Sequence, residues 1–230
     1  MGIRKIPFVN GEYYHVFNRG VDKRPVFITA EQQDFFFRRL IMLNTTDNRR
    51  HITNHRSRHK DQLILGEGDK LVNIVAYCLL PNHFHLLMQQ QTNGGISQFM
   101  QRLGTSYTKN FNKQENRSGS LFQGKFKATH LNGELALPIL SAYVNLNYMH
   151  HHIDPDTNLV KSSFMEYCRE ESESICEPLL IEKILDEVGG LMAYKKFAKQ
   201  CSITFALNKN SELSEDRKST RLNSSHTSIS

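Results

Sequence analysis

The chain has 230 residues, 39% of them hydrophobic, enough for one large domain with a real core or one domain with an addition. No run of about 18 apolar residues occurs, so no membrane span is expected, and the opening Met1-Gly2-Ile3-Arg4-Lys5-Ile6-Pro7 lacks the apolar stretch of a secretory signal. Lys and Arg number 29 against 23 Asp and Glu, a net charge of +6 that is compatible with a polyanionic partner without demonstrating one.

Tyr14 to Gly20 reads as a first strand ending at a glycine. Thr29 is placed to cap a helix over about 30–43, with Phe35, Phe36, Leu40 and Ile41 as its apolar positions. The stretch 44–70 is polar and basic, a long loop or insertion. Leu71 to Leu80 is a strongly apolar second strand. Pro81-Asn82 signals a turn, and His83 to Gln89 is the partner strand of a hairpin. A second helix is expected over about 96–112, because Ile96, Phe99, Met100, Leu103, Tyr107 and Phe111 keep helical spacing. Leu121 to Leu131 reads as a fourth strand. The order β-α-β-β-α-β predicts an α+β, ferredoxin-like sheet with two helices on one face.

A third helix is expected over about 135–151, carrying an apolar seam of Leu135, Ile139, Ala142, Leu146 and Met149. Beside it run Leu140, Tyr143, Asn147 and His150 or His151. Tyr143 and Asn147 are four apart and share a face. Beyond 154–156 the character changes. The spacing predicts amphipathic helices over 179–188 and 191–198, read as a helical addition over 154–210 with no evident chemistry. Residues 211–230 read as a disordered tail, of which 216–226 resemble a translated sequencing adapter and are set aside from fold reasoning.

Two features carry chemistry. In Leu79-Leu80-Pro81-Asn82-His83-Phe84-His85-Leu86-Leu87 the histidines flank one residue on a strand, so both point to one face, roughly 7 Å apart along it. Two imidazoles so spaced can converge on a metal ion, or they can be ordinary core histidines. Cations form two clusters. One is Arg49 to Lys60. The other is Arg102, Lys109, Lys113, Arg117, Lys125 and Lys127, interleaved with Tyr107, Phe111, Phe122 and Phe126. Aromatics among cations suit single-stranded nucleic acid, although a solvated basic face over core aromatics reads the same way. Cys78, Cys168, Cys176 and Cys201 show no Cys-x-x-Cys pairing and read as reduced thiols.

Four segments in order resemble the REP-associated tyrosine transposases, a branch of the single-tyrosine transposases in the HUH endonuclease superfamily. They are Tyr14-His15-Val16-Phe17-Asn18-Arg19-Gly20, the stretch from Ala76 to Leu87, the stretch from Arg117 to Lys127, and Tyr143-Val144-Asn145-Leu146-Asn147. The resemblance spans about 13–151 and implies a transposase domain over 1–153 with an additional catalytic helix. It implies His83, His85 and Asn147 as metal ligands, with magnesium or manganese as the divalent ion, and Tyr143 as the nucleophile. That tyrosine would form a 5′-phosphotyrosine and release a 3′-hydroxyl. Arg19, Lys125 and Lys127 are candidate phosphate contacts. The implied substrate is hairpin-forming, repetitive palindromic single-stranded DNA. The implied protein is a cytoplasmic monomer or homodimer, nucleoid-associated when bound to DNA. Two other functions remain open. One is a hairpin-binding module that does no chemistry. The other is a metal hydrolase with His83, His85 and His150 or His151 around zinc.

Overall fold

The computed structural model describes residues 7–47, 68–133, 136–154, 157, 159–169 and 174–224, with side chains as far as Leu207. In chain order the elements are β1 (Tyr13–Arg19), α1 (Ala30–Met42), β2 (Val72–Leu80), β3 (His83–Gln90), α2 (Gly95–Gln114), β4 (Lys127–His130), α3 (Ala136–Asn145), α4 (Asn147–His150), β5 (Lys161–Ser162), α5 (Phe164–Tyr167), α6 (Pro178–Glu187) and α7 (Leu191–Ser224). The strands form one antiparallel sheet in the order β4-β1-β3-β2-β5. Its first four strands with α1 and α2 make the ferredoxin-like unit expected from the sequence. The short fifth strand adds an edge beside β2 that the sequence does not announce.

Local chemistry explains the well-matched elements. Thr29 accepts a hydrogen bond from the Gln32 amide at 3.3 Å and caps α1. On α2 the residues Ile96, Phe99, Met100, Leu103, Tyr107 and Phe111 are all buried, as their spacing requires. Alternation on β3 sends Phe84 towards α1 and α2, where its ring meets Phe36 at 5.2 Å and Phe122 at 5.6 Å. His83 and His85 therefore face the opposite side, which α3 covers.

Three expectations need correction. The fourth strand is shorter than Leu121–Leu131. Only 127–130 pair with β1, while Phe122 makes an isolated bridge to Gly20. Gly124, at φ +81°, turns the chain between the two pairings. The third helix is broken at Leu146 (φ −108°, ψ 23°) instead of running continuously to His151. Asn145 explains the break. Its carbonyl accepts from the Ser162 hydroxyl, and its side chain bonds to Ser163 and to the Tyr194 hydroxyl, so tertiary partners compete with the helical ladder. With the helix broken, the forecast seam fails at Ile139 and Met149, which are exposed, while Leu137, Ser141, Val144 and Asn145 are buried. Leu135 lies outside the described residues.

The C-terminal segment packs on the helix pair α3–α4. Tyr194 of α7 is fully buried and shares its hydroxyl with Ser141 and Asn145. Helix α7 continues through 211–224, where the sequence reading expects a disordered tail; 225–230 lie outside the described residues. Most of the basic stretch, 48–67, also lies outside them. Cys78, Cys168 and Cys176 are buried free thiols, and Cys201 is half-buried. Among the described residues no helix is long and apolar enough to cross a membrane.

Candidate metal centre and nucleophile

Strand register assembles the floor of the site. Arg19 of β1 lies opposite His83, Phe17 lies opposite His85, and Phe17 also lies opposite Lys127 of β4. Directly opposed residues of an antiparallel pair project to one face. Two cations, two imidazoles and one aromatic ring are thus brought side by side by backbone pairing alone. Tyr143 of α3 and His151, just after α4, close the other side. These residues, with Asn18 and Gln123, line one cleft of about 280 Å³.

His83, His85 and His151 cluster in this cleft in an arrangement that could hold a metal ion, each offering one nitrogen, all within 4.8 Å of one another. His83 Nε2 lies 3.1 Å from His151 Nε2. The other ring nitrogens are tied back: His83 Nδ1 lies 2.6 Å from Asn82 Oδ1, and His85 Nδ1 lies 2.8 Å from His15 Nε2. Burial, with the neighbouring histidines, holds the pKa of His85 well below its ordinary value, and burial lowers that of His15 to about 4. Both rings are neutral near pH 7, the form in which imidazole offers a lone pair to a cation.

Tyr143 stands among rings. It meets His15 at 5.7 Å and His85 at 6.0 Å, both edge-on, His150 at 4.9 Å, and Phe205 of α7 at 5.1 Å. Its phenol is thereby held over the histidine face of the sheet. Asn147, just beyond the break at Leu146, is fully buried and its amide Oδ1 and Nδ2 have no hydrogen-bond partner among the described residues. Its backbone, with that of Tyr148, hydrogen-bonds toward the thiol of Cys78, which pairs across the sheet with His85. A buried amide with both atoms unsatisfied is costly and calls for a polar partner.

The IS200-like transposase family model matches residues 39–147. Over these residues the chain is similar to the IS200-like transposases. A solved structure of a REP-associated tyrosine transposase bound to a REP hairpin shares its fold, with a TM-score of 0.51 at 13% identity, covering 77% of this chain and 94% of that one. No curated protein matches the chain.

Within this transposase fold the sequence-picked residues separate. His83, His85, Tyr143, Arg19 and Lys127 meet in the cleft, whereas Lys125 is exposed and is not part of its lining. Three of the aromatics interleaved with cations in the sequence are core: Tyr107, Phe111 and Phe122 are buried, and the Tyr107 hydroxyl donates to the Val26 carbonyl. Burial, helped by Glu115, pushes the Tyr107 phenol well above its ordinary pKa. Of the histidine pair left open on the third helix, His151 joins the histidine cluster and His150 packs on Tyr143. Sequence reasoning did not single out His15 or Phe205. His15 stands in the motif quoted from Tyr14 to Gly20, and a strand period of two puts it on the face of Phe17 and Arg19. Phe205 carries no local signal.

Proposed function

We propose that this chain is a metal-dependent single-strand DNA endonuclease and strand transferase, with Tyr143 as nucleophile and hairpin-forming DNA as substrate. One observation carries the reading: a phenol stands edge-on to a buried histidine in a cleft that also holds two further imidazoles and two cations. Phosphoryl transfer to a tyrosine needs a placed nucleophile, a Lewis acid and positive charge around the phosphate.

His83, His85 and His151 would hold the divalent cation, and the Asn147 amide, buried and unsatisfied on the helix pair that carries Tyr143 but not among the residues lining the cleft, is a further candidate oxygen donor. Three neutral nitrogen donors suit manganese better than magnesium, which prefers oxygen. The bound cation would polarise the scissile phosphate and stabilise its developing charge. Arg19 and Lys127 flank the histidines and orient the phosphate oxygens. Tyr143 Oη attacks phosphorus and loses its proton. The P–O3′ bond breaks, and the departing oxygen takes up a proton to become a 3′-hydroxyl. The 5′-phosphotyrosine left behind keeps the energy of the phosphodiester, so a second 3′-hydroxyl can reverse the step and join a new strand.

The three-imidazole group also favours a second reading, a zinc-type hydrolase in which water is the nucleophile. Incubation of the protein with end-labelled hairpin DNA and manganese separates the two. A protein-linked product mapped by peptide mass analysis to Tyr143 supports the transferase. Free 5′-phosphate ends without an adduct support the hydrolase, and shifted mobility alone supports a binding module.

A further inference from the structure

Asn82 is the turn residue immediately before the first histidine, and its side chain touches two very different partners. Its Nδ2 donates to the main-chain carbonyl of Lys23 at 3.2 Å, and its Oδ1 lies 2.6 Å from His83 Nδ1. A carbonyl can only accept, so Lys23 settles which way round the Asn82 amide sits. The amide oxygen then faces His83, and it too can only accept. His83 Nδ1 must therefore carry the ring proton, leaving the Nε2 lone pair to face His151.

We propose that Asn82 is a positioning residue that fixes the tautomer of His83, with the Lys23 carbonyl as its reference. The device rests on the reading of His83 as a metal ligand and goes beyond it, because it explains why the nitrogen that faces the cleft is the one able to bind. His85 lacks an equivalent. Its Nδ1 partner is His15 Nε2, itself an imidazole nitrogen that can donate or accept, so that contact follows the tautomer of His85 and does not dictate it.

The turn that delivers the Lys23 carbonyl is built for the purpose. Asp22 and Lys23 both sit at positive φ, 52° and 62°. Gly20 donates its amide to the Asn82 carbonyl at 2.9 Å, and Lys23 donates back to Gly20 at 3.0 Å. A Cβ at Gly20 would lie 2.2 Å from the Arg24 carbonyl, so no other residue fits the close approach. Two left-handed non-glycine residues in succession are uncommon and need surrounding structure to hold them.

The test compares the natural chain with Asn82→Ala and Asn82→Asp. Imidazole tautomers are read by two-bond proton–nitrogen NMR on metal-free protein, and cobalt(II) affinity is read by visible absorption, with His83→Ala as the zero reference. Asn82→Asp keeps an acceptor at His83 and loses the donor to Lys23. Asn82→Ala loses both. The expected result is an Nδ1–H tautomer of His83 in the natural chain and in Asn82→Asp, with cobalt affinity at least preserved in the latter. Asn82→Ala should show mixed tautomers and bind cobalt about 10–100-fold more weakly, the usual cost of losing an outer-shell partner. A merely structural role for Asn82 would weaken both variants alike, and that result overturns the proposal, as does an Nε2–H tautomer in the natural chain. If Asn82→Ala fails to fold, the tautomer in the natural chain and the behaviour of Asn82→Asp still decide. If the natural chain binds no cobalt, the metal reading falls while the NMR comparison still judges the lock.

Discussion

The two halves of the site are held by different physics. On the sheet, His83 and His85 are set by strand register and by short, directional hydrogen bonds to Asn82 and His15. Above it, Tyr143 is set by ring contacts from four separate elements: His15 of β1, His85 of β3, His150 of α4 and Phe205 of α7. Directional bonds place an atom sharply, and losing one partner leaves a specific defect. Ring packing is broad and shared, so removing one neighbour loosens the phenol by degrees. The sheet half should therefore fail in an all-or-none way and the helix half, apart from the phenol oxygen itself, in graded steps.

The largest effects test the chemistry itself. Tyr143→Phe deletes one oxygen, so fold and hairpin affinity should persist while the covalent protein–DNA product disappears; an adduct still formed by this variant ends the assignment. His83→Ala, His85→Ala and His151→Ala should each abolish cleavage at saturating manganese while leaving gel-shift affinity largely intact, because binding comes from phosphate and base contacts spread over the surface. Asn147→Ala should weaken metal binding less than His151→Ala, and the reverse order would make the amide the third ligand in place of the histidine.

Next comes acid lability of the sheet half. Burial holds His15 at about 4 against an ordinary 6.5, and His85 is lowered in the same direction. The folded state favours the neutral rings, while the unfolded chain binds protons below about pH 6.5. This contribution is present above pH 6.5 and is lost as pH falls towards 4, by about 3 kcal/mol from His15 alone. Urea unfolding of metal-free protein across that window should show the loss, and His15→Gln should flatten it. A wild-type stability that stays level from pH 7 to 4 would contradict the burial of these rings.

The graded half predicts smaller changes. Phe205→Ala removes one wall of the ring cage and should slow adduct formation roughly tenfold, since small misplacements of a nucleophile are costly, without touching metal affinity. Ending the chain at Glu215 keeps Phe205 and should leave folding and cleavage unchanged, whereas a rate loss in that truncation would give the last part of α7 a role. Tyr107→Phe should cost only about 1 kcal/mol in thermal or urea unfolding through its bond to the Val26 carbonyl, and the adduct should still form.

The comparison also explains which features were legible before the fold was known. Strand alternation put His83 and His85 on one face, helical spacing buried Tyr107, and Thr29 announced the start of α1; all three depend on residues within one or two turns of each other. The third helix reads as continuous in the sequence because nothing local marks Leu146 as a break. The partners that break it, Ser162, Ser163 and Tyr194, come from later in the chain.

By itself the sequence determined the β-α-β-β-α-β order, the histidine pair on one strand face and the helix that carries Tyr143, because side-chain periodicity and capping are short-range properties of the backbone. Only the tertiary structure decided that His151 and not His150 joins the histidine group, that His15 stands behind His85, and that Phe205 closes over Tyr143. His83 and His151 are 68 residues apart, and their meeting depends on strand register, a helix break and the packing of α3 on the sheet acting together. Long-range contacts of that kind are set by the whole core and leave no period, cap or turn signal in the chain for a local reading to find.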